Sequence, residues 1–149
     1  MGMGKILELV SAYPQREFAE GAIIIQQGEV EPTIFVLLQG EVEVVRDEVR
    51  LAKSSEPGAV FGEISALLGG PYTASVRAIK PSSFAVIDDP DAFLGQSAEA
   101  SLHVARLLAR RITTLNRYLV DVKRQYEGHD HLGMVDEVLD TLMHRPQSG

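Results

Sequence analysis

The sequence predicts an α+β fold: a small antiparallel barrel or roll held between a short N-terminal helix and a long C-terminal one. Short β-rich runs cut by glycine at close intervals fill the stretch from Phe18 to Ile87. After Ser97 about thirty residues pass without glycine or proline, far longer than the mean globular helix. A chain of 149 residues that is 45% hydrophobic and 23% charged has the apolar mass for one ordinary core and excludes two large domains.

Each element follows from its own pattern. Ile6, Leu9, Val10 and Tyr13 fall at i, i+3, i+4 and i+7, a docking stripe on a helix over residues 1–14 that Pro14 ends. The roll is expected over 15–96. Its strands are read at Ile23 to Gln27, Ile34 to Leu38, Val42 to Val45, Val49 to Ala52, Ala74 to Ile79 and Phe84 to Ile87, with turns at Glu56-Pro57-Gly58 and Lys80-Pro81-Ser82-Ser83. Gly40-Glu41-Val42-Glu43-Val44 alternates charge with valine, so one face is wet and the other buried. Asp89-Pro90 is an N-cap followed by proline at the first helical position, opening a short helix through Phe93 and Leu94 that Gly95 stops.

A second start at Ser97 opens the long helix, 97–127. Along it Ala105, Leu108, Ile112, Leu115, Leu119, Val122 and Tyr126 are separated alternately by three and four residues, the a/d seam of a coiled coil. A two-fold homodimer is expected through Leu108, Ile112, Leu115, Leu119 and Val122. The alternative is a helix that packs this stripe on its own sheet, although Val104, Leu107 and Tyr118 lie off the seam and can serve that contact. Residues 128–149 are read as a short terminal helix, with Leu132, Val135, Val138, Leu139 and Leu142 at helical spacing, and a tail.

Composition removes several functions. No cysteine is present, which excludes a disulfide scaffold, a thiolate nucleophile, a Cys-ligated zinc and an iron–sulfur cluster. The net charge of -7 is uneven: residues 1–100 hold 7 basic and 15 acidic side chains, the rest 7 and 6. Duplex DNA and anionic membranes are therefore not expected partners of the larger part. No spanning stretch and no secretory layout occurs, so a cytoplasmic protein is expected. No Ser-His-Asp, paired-carboxylate or triphosphate-loop pattern appears, and catalysis is not expected. His129-Asp130-His131 with Asp136 and His144 lacks an ordered framework, so no metal site is expected.

The densest cluster of small and polar residues is Phe61-Gly62-Glu63-Ile64-Ser65-Ala66-Leu67-Leu68-Gly69-Gly70-Pro71-Tyr72-Thr73-Ala74-Ser75-Val76-Arg77. Glycine admits a close ligand, and a helix opening at Glu63 would aim free N–H groups at an anion. A Gly-Glu before a short apolar helix is also a common structural turn.

From Phe18 to Arg124 the chain resembles the cyclic nucleotide-binding domains of the catabolite-activator and kinase regulatory-subunit type. The features that carry the resemblance are Phe18-Ala19-Glu20-Gly21, Gln26-Gln27-Gly28-Glu29, Ile34 to Val42, Pro57-Gly58 and Phe61-Gly62-Glu63, in that order. The resemblance implies an antiparallel β-roll of the double-stranded jelly-roll type, with a phosphate-binding cassette at 61–76. It implies ligand contacts at Gly62, Glu63, Ile64, Ser65, Tyr72 and Thr73, with Glu63 accepting from a ribose 2′-hydroxyl. Along the helix, Ala109-Arg110-Arg111-Ile112 matches the family's dimer helix, which implies an Arg111–Glu63 pair and a ligand contact from Thr114 or Asn116; Leu115 takes the place of a polar base contact. A solvated flank is the other reading of Arg110, Arg111 and Arg117.

The chain departs from the family at Tyr72, which follows Pro71 where the family carries the arginine that pairs with the cyclic phosphate. A phenol offers one neutral hydrogen bond in place of a charged fork, so weak or altered affinity is expected. Arg77 is read as a solvated strand arginine. Haem sensing needs an axial ligand, and no histidine precedes His103. Two functions follow as expectations: a regulatory module for a small anion such as cAMP or cGMP with no other cofactor, or a degenerate roll that serves as a dimerisation or docking scaffold. The 21 residues after Gly128 are too few for a helix-turn-helix, so no direct DNA binding is expected.

Overall fold

A computed structural model describes residues 2–126 and 141–143. In chain order the elements are α1 (Gly2–Leu9), β1 (Gln15–Phe18), β2 (Ile23–Ile25), β3 (Ile34–Gln39), β4 (Val42–Arg46), β5 (Val49–Ser54), β6 (Val60–Phe61), α2 (Glu63–Leu68), β7 (Ser75–Ala78), β8 (Ser82–Ile87), α3 (Pro90–Gln96) and α4 (Ala98–Gln125). The chain forms two compact units, residues 1–107 and 108–149. The break falls inside α4 rather than at its start near 97, because the first turns of α4 pack into the roll's own core.

The roll is two antiparallel four-stranded sheets, ordered β1-β8-β3-β6 and β2-β7-β4-β5. Alternation along the strands decides what lies between them. Phe18, Phe35, Leu37, Phe61 and Phe84 from the first sheet meet Ile25, Val42, Val76 and Ala78 from the second in one buried cluster. Phe84 sits at its centre, edge-on to Phe18, Phe35 and Phe61 with ring centroids 5.7, 6.1 and 6.3 Å away.

The intervening residues of the first sheet, Ile34, Val36, Val60, Ala85 and Ile87, face the opposite way. They are covered by Ile6, Phe93, Ala100 and Leu107 from the helices and by Val10 from the turn after α1. This is why β3 is an unbroken apolar run: both faces of its sheet are buried. The second sheet has one wet face, as the alternation in β4 predicts.

The caps agree with the sequence. Asp89 accepts from the Ala92 amide at 3.1 Å with Pro90 beside it, and the Ser97 hydroxyl accepts from the Ala100 amide at 3.1 Å. Two boundaries differ. Gly95 lies within α3, which ends one residue later; α1 ends at Leu9, with a turn carrying Val10 and Tyr13 inward well before Pro14. The polar strand β1 and the two-residue β6 are additions to the strands read from sequence.

In the second unit α4 continues through Gln125. Ile112, Leu115 and Tyr126 of the heptad stripe are exposed, and Leu108, Leu119 and Val122 are half-buried. Val104 and Leu107 are buried in the first unit, whereas Tyr118, expected to share that role, is exposed. The terminal-helix reading and the His129-Asp130-His131, Asp136 and His144 cluster lie outside the described residues, except for 141–143, which are helical.

Candidate functional site

β6 delivers the chain to Gly62, whose backbone takes the left-handed conformation at φ 87° and turns it into α2. A side chain is strained there for two reasons. A Cβ on residue 62 would stand 2.7 Å from the Thr33 carbonyl oxygen and 3.3 Å from Cε1 of Tyr72, and its φ would be strained. α2 then runs for six residues, with Glu63 and Ser65 buried, Ile64, Leu67 and Leu68 exposed, and the Gly69 amide bonding back to the Ser65 carbonyl. The Ser65 hydroxyl donates to the Pro71 carbonyl at 2.9 Å, tying the two ends of the cassette together.

Tyr72 is held at three points. Its amide donates to the Glu29 carbonyl at 2.8 Å, its carbonyl accepts from the Gly28 amide at 2.9 Å, and its hydroxyl donates to the Thr33 carbonyl at 2.9 Å. The residue belongs to the hydrophobic cluster between the sheets and is 5% exposed. Burial pushes the phenol up to about 12, with the negative charges of Glu31 and Glu29 acting in the same direction. The side chain expected to face a ligand therefore faces the core, and its one donor is already taken.

The other expected contacts divide cleanly. Gly62, Glu63, Ile64, Ser65 and Thr73 are brought together on one cassette, with Ile64 and Thr73 open to solvent and Glu63 and Ser65 enclosed. Asn116 is in the second unit, half-buried; its amide nitrogen donates to Sδ of Met143 at 3.9 Å, and its Oδ1 is buried with no hydrogen-bond partner. Thr114 and Arg111 are exposed.

Arg77 is not simply solvated. Its guanidinium bonds Glu43 on β4 through Nε at 2.8 Å and through a terminal nitrogen, and Arg50 on β5 reaches the other carboxylate oxygen at 3.3 Å. The register puts Arg77 opposite Glu43, so the arginine is both exposed to solvent and held by a cross-strand pair. Sequence reasoning also missed Thr33, which carries no motif and meets Tyr72 through its backbone carbonyl while its hydroxyl donates to Asp88. Among the described residues no group of His, Asp and Glu is arranged to hold a metal, and no helix is long and apolar enough to cross a membrane.

With this geometry in view, comparison with known proteins gives the class. The family model described as "Cyclic nucleotide-binding domain" matches residues 15–94, more than half the chain, and the protein belongs to that family. The chain is 39% identical over 75 residues to human cGMP-dependent protein kinase 2, covering 50% of this chain and 10% of the kinase. It is 34% identical over 84 residues to the cGMP-dependent protein kinase egl-4 of Caenorhabditis briggsae, covering 56% of this chain and 11% of the kinase. The chain thus spans about a tenth of the length of these curated relatives. The Thermus thermophilus catabolite activator protein shares the fold, with a TM-score of 0.64 at 23% identity over 95% of this chain and 81% of that one.

Proposed function

We propose that the chain is a non-catalytic regulatory module whose cassette takes a small cyclic nucleotide or related anion, cAMP or cGMP, with low affinity, and whose long helix forms a homodimer. Family membership and the names of its kinase relatives support the ligand class. One observation carries the low affinity: the Tyr72 hydroxyl, at the position where the resemblance places the family's arginine, is bonded to Thr33. Loss of a charge-assisted bond of roughly 1.5–3 kcal/mol weakens binding about tenfold to over a hundredfold. What remains for an anion is the backbone of the cassette and the Thr73 hydroxyl. The module works without direct DNA or membrane contact, in the cytoplasm, and a bound ligand acts by shifting the cassette between two packings.

A second reading is favoured by one specific feature. The Ser65 hydroxyl is bonded within the cassette and the Tyr72 hydroxyl to the Thr33 carbonyl, so neither is free for a ligand, as suits a roll retained only as a dimerisation or docking scaffold. Calorimetric titration of cAMP and cGMP up to millimolar concentration separates the two. Weak saturable binding by the wild type, tightened about tenfold or more in Tyr72→Arg, supports the sensor. No binding by either protein, with the variant still folded, supports the scaffold.

A further inference from the structure

The outer face of the second sheet carries a charge arrangement that the cassette does not use. Val42 of β4 is in the roll's core and Val44 packs against it, so Glu43 between them points outward; by the same alternation Arg77 points outward between Val76 and Ala78. Arg77 lies opposite Glu43 on one side and Lys53 lies opposite it on the other. Arg77 and Arg50 both bind the Glu43 carboxylate, while Lys53 and Lys80 reach Glu41 at 3.8 and 3.5 Å. An open cleft of about 330 Å³ is lined by Glu43, Arg50, Lys53 and Arg77 of this network.

The two signs are not equally available. The Glu43 and Glu41 side chains are 8% and 21% exposed, whereas Arg50, Arg77, Lys53 and Lys80 are 47–69% exposed. The carboxylates form the floor and the cations form the rim, so an approaching group meets guanidinium and ammonium donors already held in place from beneath. Counting Glu20, which also lines the cleft, the cations still outnumber the carboxylates. This is a cationic face on a chain of net charge -7.

β5 is the edge strand beside that face. It pairs with β4 on one side and, among the described residues, with no strand on the other. Val49 and Leu51 are about 60% exposed on it. An exposed edge bearing apolar side chains is a template for a further extended segment. A second copy of β5 is disfavoured as that segment, because it would bring Arg50 and Lys53 against Arg50 and Lys53. A polyphosphate or anionic membrane meets only a handful of partly neutralised cations before the surrounding negative charge repels it.

We propose that the β5 edge and its cationic flank receive an extended segment of a partner protein, rich in alternating acidic and apolar residues, which adds as a fifth strand. Main-chain hydrogen bonds to β5 supply affinity, and carboxylates facing Arg50 and Lys53 select the partner. This inference is independent of whether the cassette binds a nucleotide.

The test uses the full chain and a short fluorescein-labelled peptide of alternating glutamate and valine, read by anisotropy at low ionic strength. The expected result is saturable binding that weakens with added salt and is about tenfold tighter than that of the matching lysine–valine peptide. Alternate N-methylation of the peptide backbone should abolish it, and the double variant Arg50→Gln, Lys53→Glu, with an unchanged melting curve, should weaken it about fivefold or more. The proposal is overturned by equal binding of the two peptides, by undiminished binding of the N-methylated one, or by wild-type affinity in the folded variant. Preference for phosphatidylglycerol vesicles or duplex DNA over the acidic peptide overturns it as well. The peptide comparisons need no variant, so they stand even if the double substitution prevents folding.

Discussion

At position 72 one hydroxyl satisfies a backbone carbonyl and seats a ring in the core, so the residue has become structural. Tyr72→Phe keeps the ring but leaves the Thr33 oxygen enclosed without its donor, and should lower stability by about 1–3 kcal/mol, measured by urea denaturation. The phenol also makes a pH prediction. Its pKa in the folded chain, about 12, lies above the ordinary tyrosine value of 10.0, so folding favours the protonated form. The resulting stability is complete below pH 10.0 and is lost as pH rises towards 12. Across that window the melting temperature of the wild type should fall more steeply than that of Tyr72→Phe; parallel curves would refute a buried phenol. Gly62→Ala strikes the same locality from the other side. A methyl 2.7 Å from the Thr33 oxygen, added to a left-handed backbone, should cost about 2 kcal/mol or more, read as a lower denaturation midpoint.

Among the elements, the β4–β7 pair is held by an enclosed carboxylate between two guanidiniums. Arg77→Ala removes the closer partner of Glu43 and should destabilise the roll by about 1–3 kcal/mol, whereas the double change Arg77→Met, Glu43→Leu should recover much of that loss. Thermal melts of the variants decide it. The same strands show what the sequence could and could not reveal. β4 and β7 were legible because glutamate or arginine alternates with valine or alanine, a direct imprint of a sheet with one wet face. β1, Gln-Arg-Glu-Phe, carries no such imprint, since only Phe18 is buried and its partner β8 supplies the pairing; β6 is too short to show a period. The cassette was legible as a motif from Phe61 to Val76. The inward turn of Tyr72 was not, because it depends on a carbonyl thirty-nine residues away that any amino acid at position 33 would provide. The Arg77–Glu43 bond was hidden for a similar reason: it needs the cross-strand register, which adjacent residues do not encode.

For the molecule as a whole, the division within α4 separates a segment that packs on the roll from one whose apolar stripe is largely open. The homodimer reading predicts that amide-exchange protection from Leu108 to Gln125 rises with protein concentration, while that of β3 and β8 does not. Protection independent of concentration over that span would argue for a monomer. Sedimentation of Ile112→Asp, Leu119→Asp should then show dissociation, because two carboxylates in the seam are costly to bury.

The strand order has a consequence for how the chain is made. β1 pairs with β8 and β2 with β7, so the earliest strands of the roll find their neighbours among the latest. On the ribosome, residues 15–25 emerge long before residues 75–87 and must wait with open edges until synthesis has nearly passed the roll. Pairings this remote close slowly. The exposed Gln15, Arg16 and Glu17 of β1 suit that interval: charge on a waiting strand discourages nascent chains on one messenger from zipping to each other before each can close on itself.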